Sequence, residues 1–232
     1  MKDRVILALD YPDADSALAM AEKIHGDVGG VKVGFELFVS AGPDLVRELV
    51  KMKHNVFLDL KMLDIPNTVA MAARAAVRLG VSMLNVHAMG GAPMLRDAAE
   101  AVRDEAQKLG MRRKPFLIAV TILTSMDTMA LESVGLTDTP HDAALNLARL
   151  SQVNGLDGVV CSAREAGAIK EMCGPRFIRV TPGIRPSWAS NNDQKRVMTP
   201  AEAIEAGSSY IVVGRPITEA PDPVAAAQTL FD

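Results

Sequence analysis

Eight short runs of β-branched and other apolar residues recur along the chain, each followed by a longer stretch rich in Ala, Leu, Glu and Arg. This alternation is typical of a parallel sheet whose strands are connected by helices. Several helical stretches stop at a glycine that can adopt the left-handed conformation of a helix end, namely Gly26, Gly80, Gly110, Gly155 and Gly207. The predicted strands are Arg4–Leu9, Gly30–Val33, Val56–Leu60, Met83–Val86, Phe116–Thr121, Gly158–Cys161, Phe177–Val180 and Tyr210–Val213.

Eight near-equal units of about thirty residues favour a closed (β/α)8 barrel, the TIM-barrel fold, over an open doubly wound sheet, which remains the structural alternative. The chain has 232 residues, of which 49% are hydrophobic and 23% charged, and no Ser/Gly/Pro-rich linker divides it. We therefore predict a single α/β barrel domain over residues 1–232.

The charge and the ends of the chain limit the classes of partner. A formal net charge of −3 gives no electrostatic reason to expect nucleic acid, whereas one local cationic pocket would suffice for a phosphorylated small molecule. The charged start from Met1 to Arg4 does not resemble a signal peptide, and no apolar stretch is long enough to span a membrane. These features predict a cytoplasmic protein without a membrane partner. Cys161 and Cys173 lack metal-type partners and are expected to be reduced packing thiols.

Charged residues close the third predicted strand, where a barrel places its functional groups. If Asn55–Lys61 is extended, the side chains of Asp59 and Lys61 point to the same face of the sheet. Lys32 lies within an apolar strand, where a lysine is costly without a carboxylate partner, and Asp59 is the obvious candidate. We therefore predict a cluster of paired charges at this end of the barrel.

Three further polar residues follow strands and have more than one interpretation. Asp10 follows the first strand and either caps the turn into the first helix or joins the charged cluster. Thr124 follows the fifth strand and either caps a segment beginning at Ser125 or contacts a substrate. His87 follows the fourth strand and has no second metal-type ligand at suitable spacing, so a lining role is favoured over a metal site.

The last two strands end in sequences suited to phosphate, which such barrels often bind through main-chain N–H groups and a helix N-terminus. Arg185 follows Gly183, and Arg215 follows Gly214 directly before a helix that starts at Pro216. A surface salt bridge is the alternative role of Arg215. The long connection Thr181–Thr199 is either a surface loop or a lid that brings Arg185 or Gln194 to the ligand.

Taken together, these sequences resemble the orotidine 5′-monophosphate decarboxylases of the bacterial type, over nearly the whole chain from Leu9-Asp10 to Arg215. The Asp-x-Lys-x-x-Asp core alone is shared with relatives that act on sugar phosphates, and the Ile-Pro-Asn-Thr extension makes the match more specific. Met62-Leu63 depart from the family, which often has an aromatic or aliphatic residue followed by histidine there, and the lid tip around Trp188 is variable. The matching sequences are Asp59-Leu-Lys61-Met-Leu-Asp64-Ile-Pro66-Asn-Thr68, Thr181-Pro-Gly-Ile-Arg185-Pro, Gln194 and Val213-Gly214-Arg215-Pro.

The resemblance implies a homodimeric barrel that converts orotidine 5′-monophosphate to UMP and CO2 in pyrimidine biosynthesis, with no metal and no organic cofactor. Lys61 resembles the proton donor, and Lys32, Asp59 and Asp64 resemble the rest of an alternating charge network. Asp64 and Thr68 would reach into the site of the neighbouring subunit. The resemblance places Asp10 and Lys32 at the ribose hydroxyls and Thr124 at the pyrimidine. The remaining implied substrate contacts are Ile65, Pro66 and, on the phosphate side, Arg185, Gln194, Gly214 and Arg215.

Two alternative functions stay open at this point. One is a metal-dependent sugar-phosphate decarboxylase or aldolase of the same barrel superfamily, which would share the Asp-x-Lys-x-x-Asp core. The other is a non-catalytic barrel that binds a phosphate ligand and regulates a partner.

Overall fold

Eight parallel strands form a closed barrel in the computed structural model of the chain, which describes residues 1–186, 188 and 198–232. The strands follow one another around the barrel in chain order, and the first pairs with the last. This closure confirms the predicted barrel and excludes the open sheet. The strands are Val5–Ala8 (β1), Gly30–Val33 (β2), Val56–Met62 (β3), Met83–His87 (β4), Phe116–Val120 (β5), Gly158–Val160 (β6), Ile178–Thr181 (β7) and Tyr210–Val213 (β8).

Helices pack around the outside of the barrel and connect its strands. Short 3-10 helices occupy Lys2–Arg4 and Ala88–Gly90. One of the longer helices, α2, is interrupted at Gly42, whose φ of 69° is left-handed. The α-helices are Ala14–Lys23 (α1), Phe35–Lys51 (α2), Pro66–Arg78 (α3), Gly91–Lys108 (α4), Thr128–Ser133 (α5), Pro140–Val153 (α6), Ala163–Cys173 (α7), Pro200–Glu205 (α8), Arg215–Thr218 (α9) and Pro223–Gln228 (α10).

The predicted strands were correct in number and order, and their ends differ from the observed ones by no more than two residues. Arg4 belongs to a 3-10 turn rather than to β1, and its guanidinium donates hydrogen bonds to the carbonyls of Ser208 and Ser209. The third strand continues beyond Leu60 to Met62. All five glycines proposed as helix ends have positive φ angles, between 62° at Gly110 and 113° at Gly207.

Apolar side chains fill two separate layers because successive residues of each strand point to opposite sides of the sheet. The larger layer lies between sheet and helices, and the buried free thiols Cys161 and Cys173 belong to it. Burial raises the pKa of both thiols, which agrees with their predicted packing role. The smaller layer fills the interior of the barrel and leaves its carboxyl end to polar groups. Its members are Ile6, Ala8, Phe57, Met83, Ile118, Ile178, Val180 and Val212.

Two histidines, His25 and His54, contact each other near the opposite end of the barrel. The ring centroids of His25 and His54 are 5.0 Å apart in an edge-to-face contact, and His54 Nε2 lies 3.0 Å from the Ala21 carbonyl oxygen. Burial and the neighbouring His25 lower the pKa of His54 from its ordinary value of 6.5, and the contact with Ala21 opposes this shift. Between the lowered pKa of the folded state and the ordinary value of 6.5, the unfolded chain therefore binds more protons than the folded chain, so acidification through this range favours unfolding.

When the pH is lowered from about 8 to about 5.5, across the ordinary histidine pKa, we expect the free energy of unfolding to fall. The fall should be less steep in His54→Gln than in the unaltered protein. Urea unfolding at several pH values measures this difference. The matched control is His141→Gln, since His141 is exposed on α6. Equal pH slopes for His54→Gln and the unaltered protein would contradict the expectation.

Candidate active site

Four charged side chains form an alternating series at the carboxyl end of the barrel. Lys32 Nζ lies 3.1 Å from Asp10 Oδ1 and 3.6 Å from Asp59 Oδ2, and Lys61 Nζ lies 2.7 Å from Asp59 Oδ1. The side chains of Lys32 and Asp59 are only 12% and 11% exposed. Alternation of sign gives each buried charge an opposite charge as neighbour, which offsets the cost of removing both from water.

Neighbouring strands bring this series together. Lys32 lies in β2 and pairs in register with Ala8 of β1 and Phe57 of β3, while Asp10 follows β1. The proposed capping role of Asp10 is wrong, because α1 is capped by Asp13, whose carboxylate accepts from the Ser16 N–H. Space for the lysine head depends on Gly34, since a Cβ there would lie 2.9 Å from Lys32 Nζ.

An irregularity in β3 sets the position of Lys61. Leu58 pairs with Leu84 and Met62 pairs with Val86, so three residues of β3 lie opposite a single residue of β4. Lys61 adopts a left-handed backbone with φ of 47°. The strand includes Lys61 but is not regularly extended there, as the predicted shared face of Asp59 and Lys61 assumed, because the extra residues form a bulge. The predicted contact with Asp59 nevertheless forms, and the Lys61 ammonium also lies 5.5 Å from the centroid of the Phe35 ring.

The single residue of β4 opposite this bulge is Asn85, which was not among the predicted site residues. Its side chain is fully buried, its Nδ2 donates to Asp59 Oδ1 at 2.7 Å, and its Oδ1 accepts the Lys61 main-chain N–H at 2.8 Å. The available signal was an amide inside the apolar run Met83–His87. Like Lys32, Asn85 is a polar residue in an otherwise apolar strand, and a buried polar group requires partners.

A cavity of about 190 Å³ opens beside Lys32, Asp59 and Lys61. Apolar side chains from several strands and the residues after β5, including Thr124, form its wall. The proposed capping role of Thr124 is wrong, because the next helix, α5, begins at Thr128 and is capped by Asp127. A mainly apolar wall with a charged edge suits a planar ring that carries a charged substituent.

His87 ends β4 and pairs in register with Val120 of the cavity wall, but is not itself among the residues that line the cavity. Its Nδ1 accepts the Met89 main-chain N–H at 3.3 Å. Burial and the positive charge of Lys61 lower the pKa of this imidazole, so the neutral form is favoured at neutral pH. Among the described residues no group of three or more His, Cys, Asp or Glu side chains is arranged to hold a metal ion.

The ends of β7 and β8 lie side by side around the predicted phosphate position. Gly183 has a left-handed φ of 78°, and the Arg185 side chain that follows is buried. Gly214 precedes α9 and Arg215 begins it, and a Cβ at Gly214 would lie 3.7 Å from Asp10 Oδ2. The turn at Gly214 thus adjoins the charged series. Gln194 lies outside the described residues, as does most of the proposed lid.

The corner between β3 and α3 is largely exposed. Asp64, Ile65 and Thr68 are exposed, and Pro66 opens α3. Asp64 Oδ1 accepts the N–H of Ile65 at 2.6 Å, and within the described parts of the chain no ion pair joins Asp64 to Lys32 or Lys61. A single chain therefore does not bring Asp64 into the alternating series.

Comparison with known proteins identifies the family. Residues 3–230 match the family described as Orotidine 5′-phosphate decarboxylase / HUMPS. The chain belongs to this family. The orotidine 5′-phosphate decarboxylase of Moorella thermoacetica is 54% identical over 230 residues, covering 99% of this chain and 91% of that protein. That of Nitrosococcus oceani is 50% identical over 229 residues, covering 99% of this chain and 96% of that protein.

Solved structures of the same architecture agree with this assignment to the orotidine 5′-phosphate decarboxylase / HUMPS family. The orotidine 5′-phosphate decarboxylase from Lactobacillus acidophilus has a TM-score of 0.85 and 40% identity, covering 97% of this chain and 96% of that chain. An uncharacterised conserved protein from Geobacillus kaustophilus has a TM-score of 0.86 and 39% identity, covering 97% of both chains. The resemblance drawn from the sequence is therefore confirmed at the level of family and fold. In the described residues of this family member, no helix is long and apolar enough to cross a membrane.

Proposed function

We propose that the protein is a homodimeric orotidine 5′-monophosphate decarboxylase, which forms UMP and CO2 in pyrimidine biosynthesis without a metal or organic cofactor. The observation that carries this proposal is the Lys61 ammonium, held 2.7 Å from Asp59 beside a mainly apolar cavity. Family membership supports the choice of substrate, since the curated relatives described above are named orotidine 5′-phosphate decarboxylases.

The layout of the site accounts for three parts of the proposed substrate. Its pyrimidine would occupy the cavity lined by Thr124, and its ribose hydroxyls would meet Asp10 and Lys32. Its phosphate would bind where Gly214 and the N-terminus of α9 adjoin β8, with Arg215 as counter-charge. Arg185 and Gln194 are proposed to complete the phosphate side when the Thr181–Thr199 connection closes. Binding energy gained at the phosphate would then assemble the reactive geometry around the ring.

The proposed chemistry requires a fixed cation at the pyrimidine C6 atom. When the bond between C6 and the carboxylate breaks, CO2 leaves and the electron pair stays on C6, where the ring delocalises it poorly. The Lys61 ammonium stabilises this localised charge more than the delocalised carboxylate of the substrate. It then transfers a proton to C6 and regains one from water. Asp59 holds the ammonium in place, and the partner's carboxylate at position 64 is proposed to do so from the other side.

Exposed apolar side chains support the proposed dimer. Phe35 and Leu63 are each 55% exposed, and Ile65 is 66% exposed. These residues follow the adjacent strands β2 and β3, near the corner that carries Asp64 and Thr68. Large apolar groups concentrated at one edge of a protein are typical of a surface covered by another chain. A second copy placed there would bring its own Asp64 towards the first cavity.

We expect purified protein to convert orotidine 5′-monophosphate to UMP, at equal rates with and without EDTA. Loss of orotidylate absorbance measures the rate, and Lys61→Ala protein purified in parallel controls for decarboxylase from the expression host. The proposal fails if orotidylate is not consumed under either condition. Turnover of a sugar phosphate that EDTA abolishes, without orotidylate turnover, would instead support the metal-dependent function.

A further inference from the structure

We infer that Asn85 is a positioning residue whose buried amide holds the Lys61 ammonium at its working position by bridging Asp59 and the Lys61 main chain. This inference rests on the proposed function, in which Lys61 is the proton donor. Asn85 has no exposed surface and is not part of the cavity wall, so it does not touch the substrate. Its effect on the reaction would pass entirely through the two residues that it binds.

The orientation of the Asn85 amide follows from its two partners. A main-chain N–H only donates, so the atom that faces Lys61 N at 2.8 Å is the carbonyl oxygen Oδ1. An ionised carboxylate only accepts, so the atom that faces Asp59 Oδ1 at 2.7 Å is the nitrogen Nδ2. Reversal of the amide would place like groups together at both ends. The amide is therefore fixed in one orientation.

The first of these bonds stabilises an unusual backbone. At the bulge, Asp59, Leu60 and Lys61 lie opposite Asn85 alone, so the regular strand ladder is interrupted at this point. Left-handed backbone, as at Lys61 with φ of 47°, is disfavoured for a residue with a Cβ unless its surroundings hold it. The Asn85 oxygen supplies the acceptor for the Lys61 N–H and thereby fixes the point from which the lysine side chain departs.

The second bond orients the carboxylate. Asp59 Oδ1 accepts from both Lys61 Nζ and Asn85 Nδ2, each at 2.7 Å, whereas Oδ2 faces Lys32 at 3.6 Å. The attraction between two charges depends weakly on angle, so the lysines alone would let the carboxylate rotate. A neutral amide donor is directional and adds no charge to the cluster. Asn85 thus fixes both the backbone of Lys61 and the carboxylate that pairs with its ammonium.

The test replaces Asn85 with leucine, which has a similar branched shape but a larger volume and removes both hydrogen bonds, and with aspartate, which keeps the acceptor but places an oxygen against Asp59. We expect kcat to fall about 10- to 100-fold in both variants, as for a misplaced reacting group, while KM changes less than about threefold. The affinity for UMP, measured by calorimetry, should likewise change less than about threefold. Asn85→Ser provides a further, smaller variant if leucine prevents folding.

The control is Ser151→Ala, which removes another fully buried side-chain hydrogen bond, from Ser151 Oγ to the Leu147 carbonyl, and should leave kcat unchanged. Crystal structures of the unaltered protein and Asn85→Leu test positioning without reference to activity. We expect Lys61 Nζ to leave hydrogen-bonding distance of Asp59 in the variant. An unmoved Lys61, or kcat unchanged in the folded variants, overturns the inference. Lack of orotidylate turnover by the unaltered protein would overturn the proposed function instead, and the crystal structures would still decide whether Asn85 positions Lys61.

Discussion

Replacement of Lys61 by alanine is expected to lower kcat for orotidylate by about 10⁴-fold or more, because one side chain supplies both the proton and the charge that stabilises the carbanion. The barrel should remain folded, since Asp59 keeps its contacts with Lys32 and Asn85. Steady-state kinetics of the purified variant, with circular dichroism to verify folding, measures the effect.

The matched control for this prediction is Lys51→Ala. Lys51 also pairs with an acidic residue, at 2.6 Å from Glu48, but lies exposed on α2 away from the barrel rim. Its replacement should leave kcat within about twofold, because exposed ion pairs contribute little to stability. Near-normal kcat in Lys61→Ala would remove the basis for the proposed chemistry.

Mixing two inactive variants is expected to restore activity if the site is shared between subunits. In a heterodimer of Lys61→Ala and Asp64→Ala, one site carries both defects, and the other combines an intact Lys61 with an intact partner Asp64. Random exchange of equal amounts should therefore restore about a quarter of the unaltered activity, because half of the dimers are mixed and each has one intact site. Activity measured after subunit exchange, with heterodimers verified by differently tagged chains, gives this fraction.

The control for subunit exchange pairs Lys61→Ala with Asp59→Ala. Asp59 contacts the lysine of its own chain, so each site of this heterodimer keeps one defect and no activity should return. Recovery in the first mixture and not in the second is the expected pattern. Verified heterodimers of Lys61→Ala and Asp64→Ala without any activity would contradict a shared site.

The barrel could be predicted because its signals are local and repeated. Each strand is a short apolar run, and helix ends coincide with glycines such as Gly80 and Gly155, both of which have left-handed φ. Contact between Lys32 and Asp59 could also be predicted, because the charge of a buried lysine requires a nearby carboxylate. These inferences need only chain-local patterns and the cost of burying charge.

The finer features of the site depend on contacts that chain-local patterns do not specify. The bulge in β3 arises from pairing between β3 and β4, so the left-handed Lys61 could not be inferred from its own neighbours. The capping roles considered for Asp10 and Thr124 are excluded because the helices that follow them, α1 and α5, are capped by Asp13 and Asp127. The proposed contact of Asp64 with the partner's Lys61 requires a dimer, and that dimer remains a prediction.

The barrel rim is divided between its two halves. Asp10, Lys32, Asp59 and Lys61 lie in or directly after β1 to β3, whereas Thr124 and the glycine turns near the proposed phosphate position follow β5 to β8. The turn after β8 adjoins this series through Gly214 and Asp10, whereas connections after β5 to β7 could be exchanged or lengthened without moving it. The proposed binding of the ring is thereby separable from the proposed reaction chemistry, and altered specificity for the ring is best sought by varying the connections after β5 to β7.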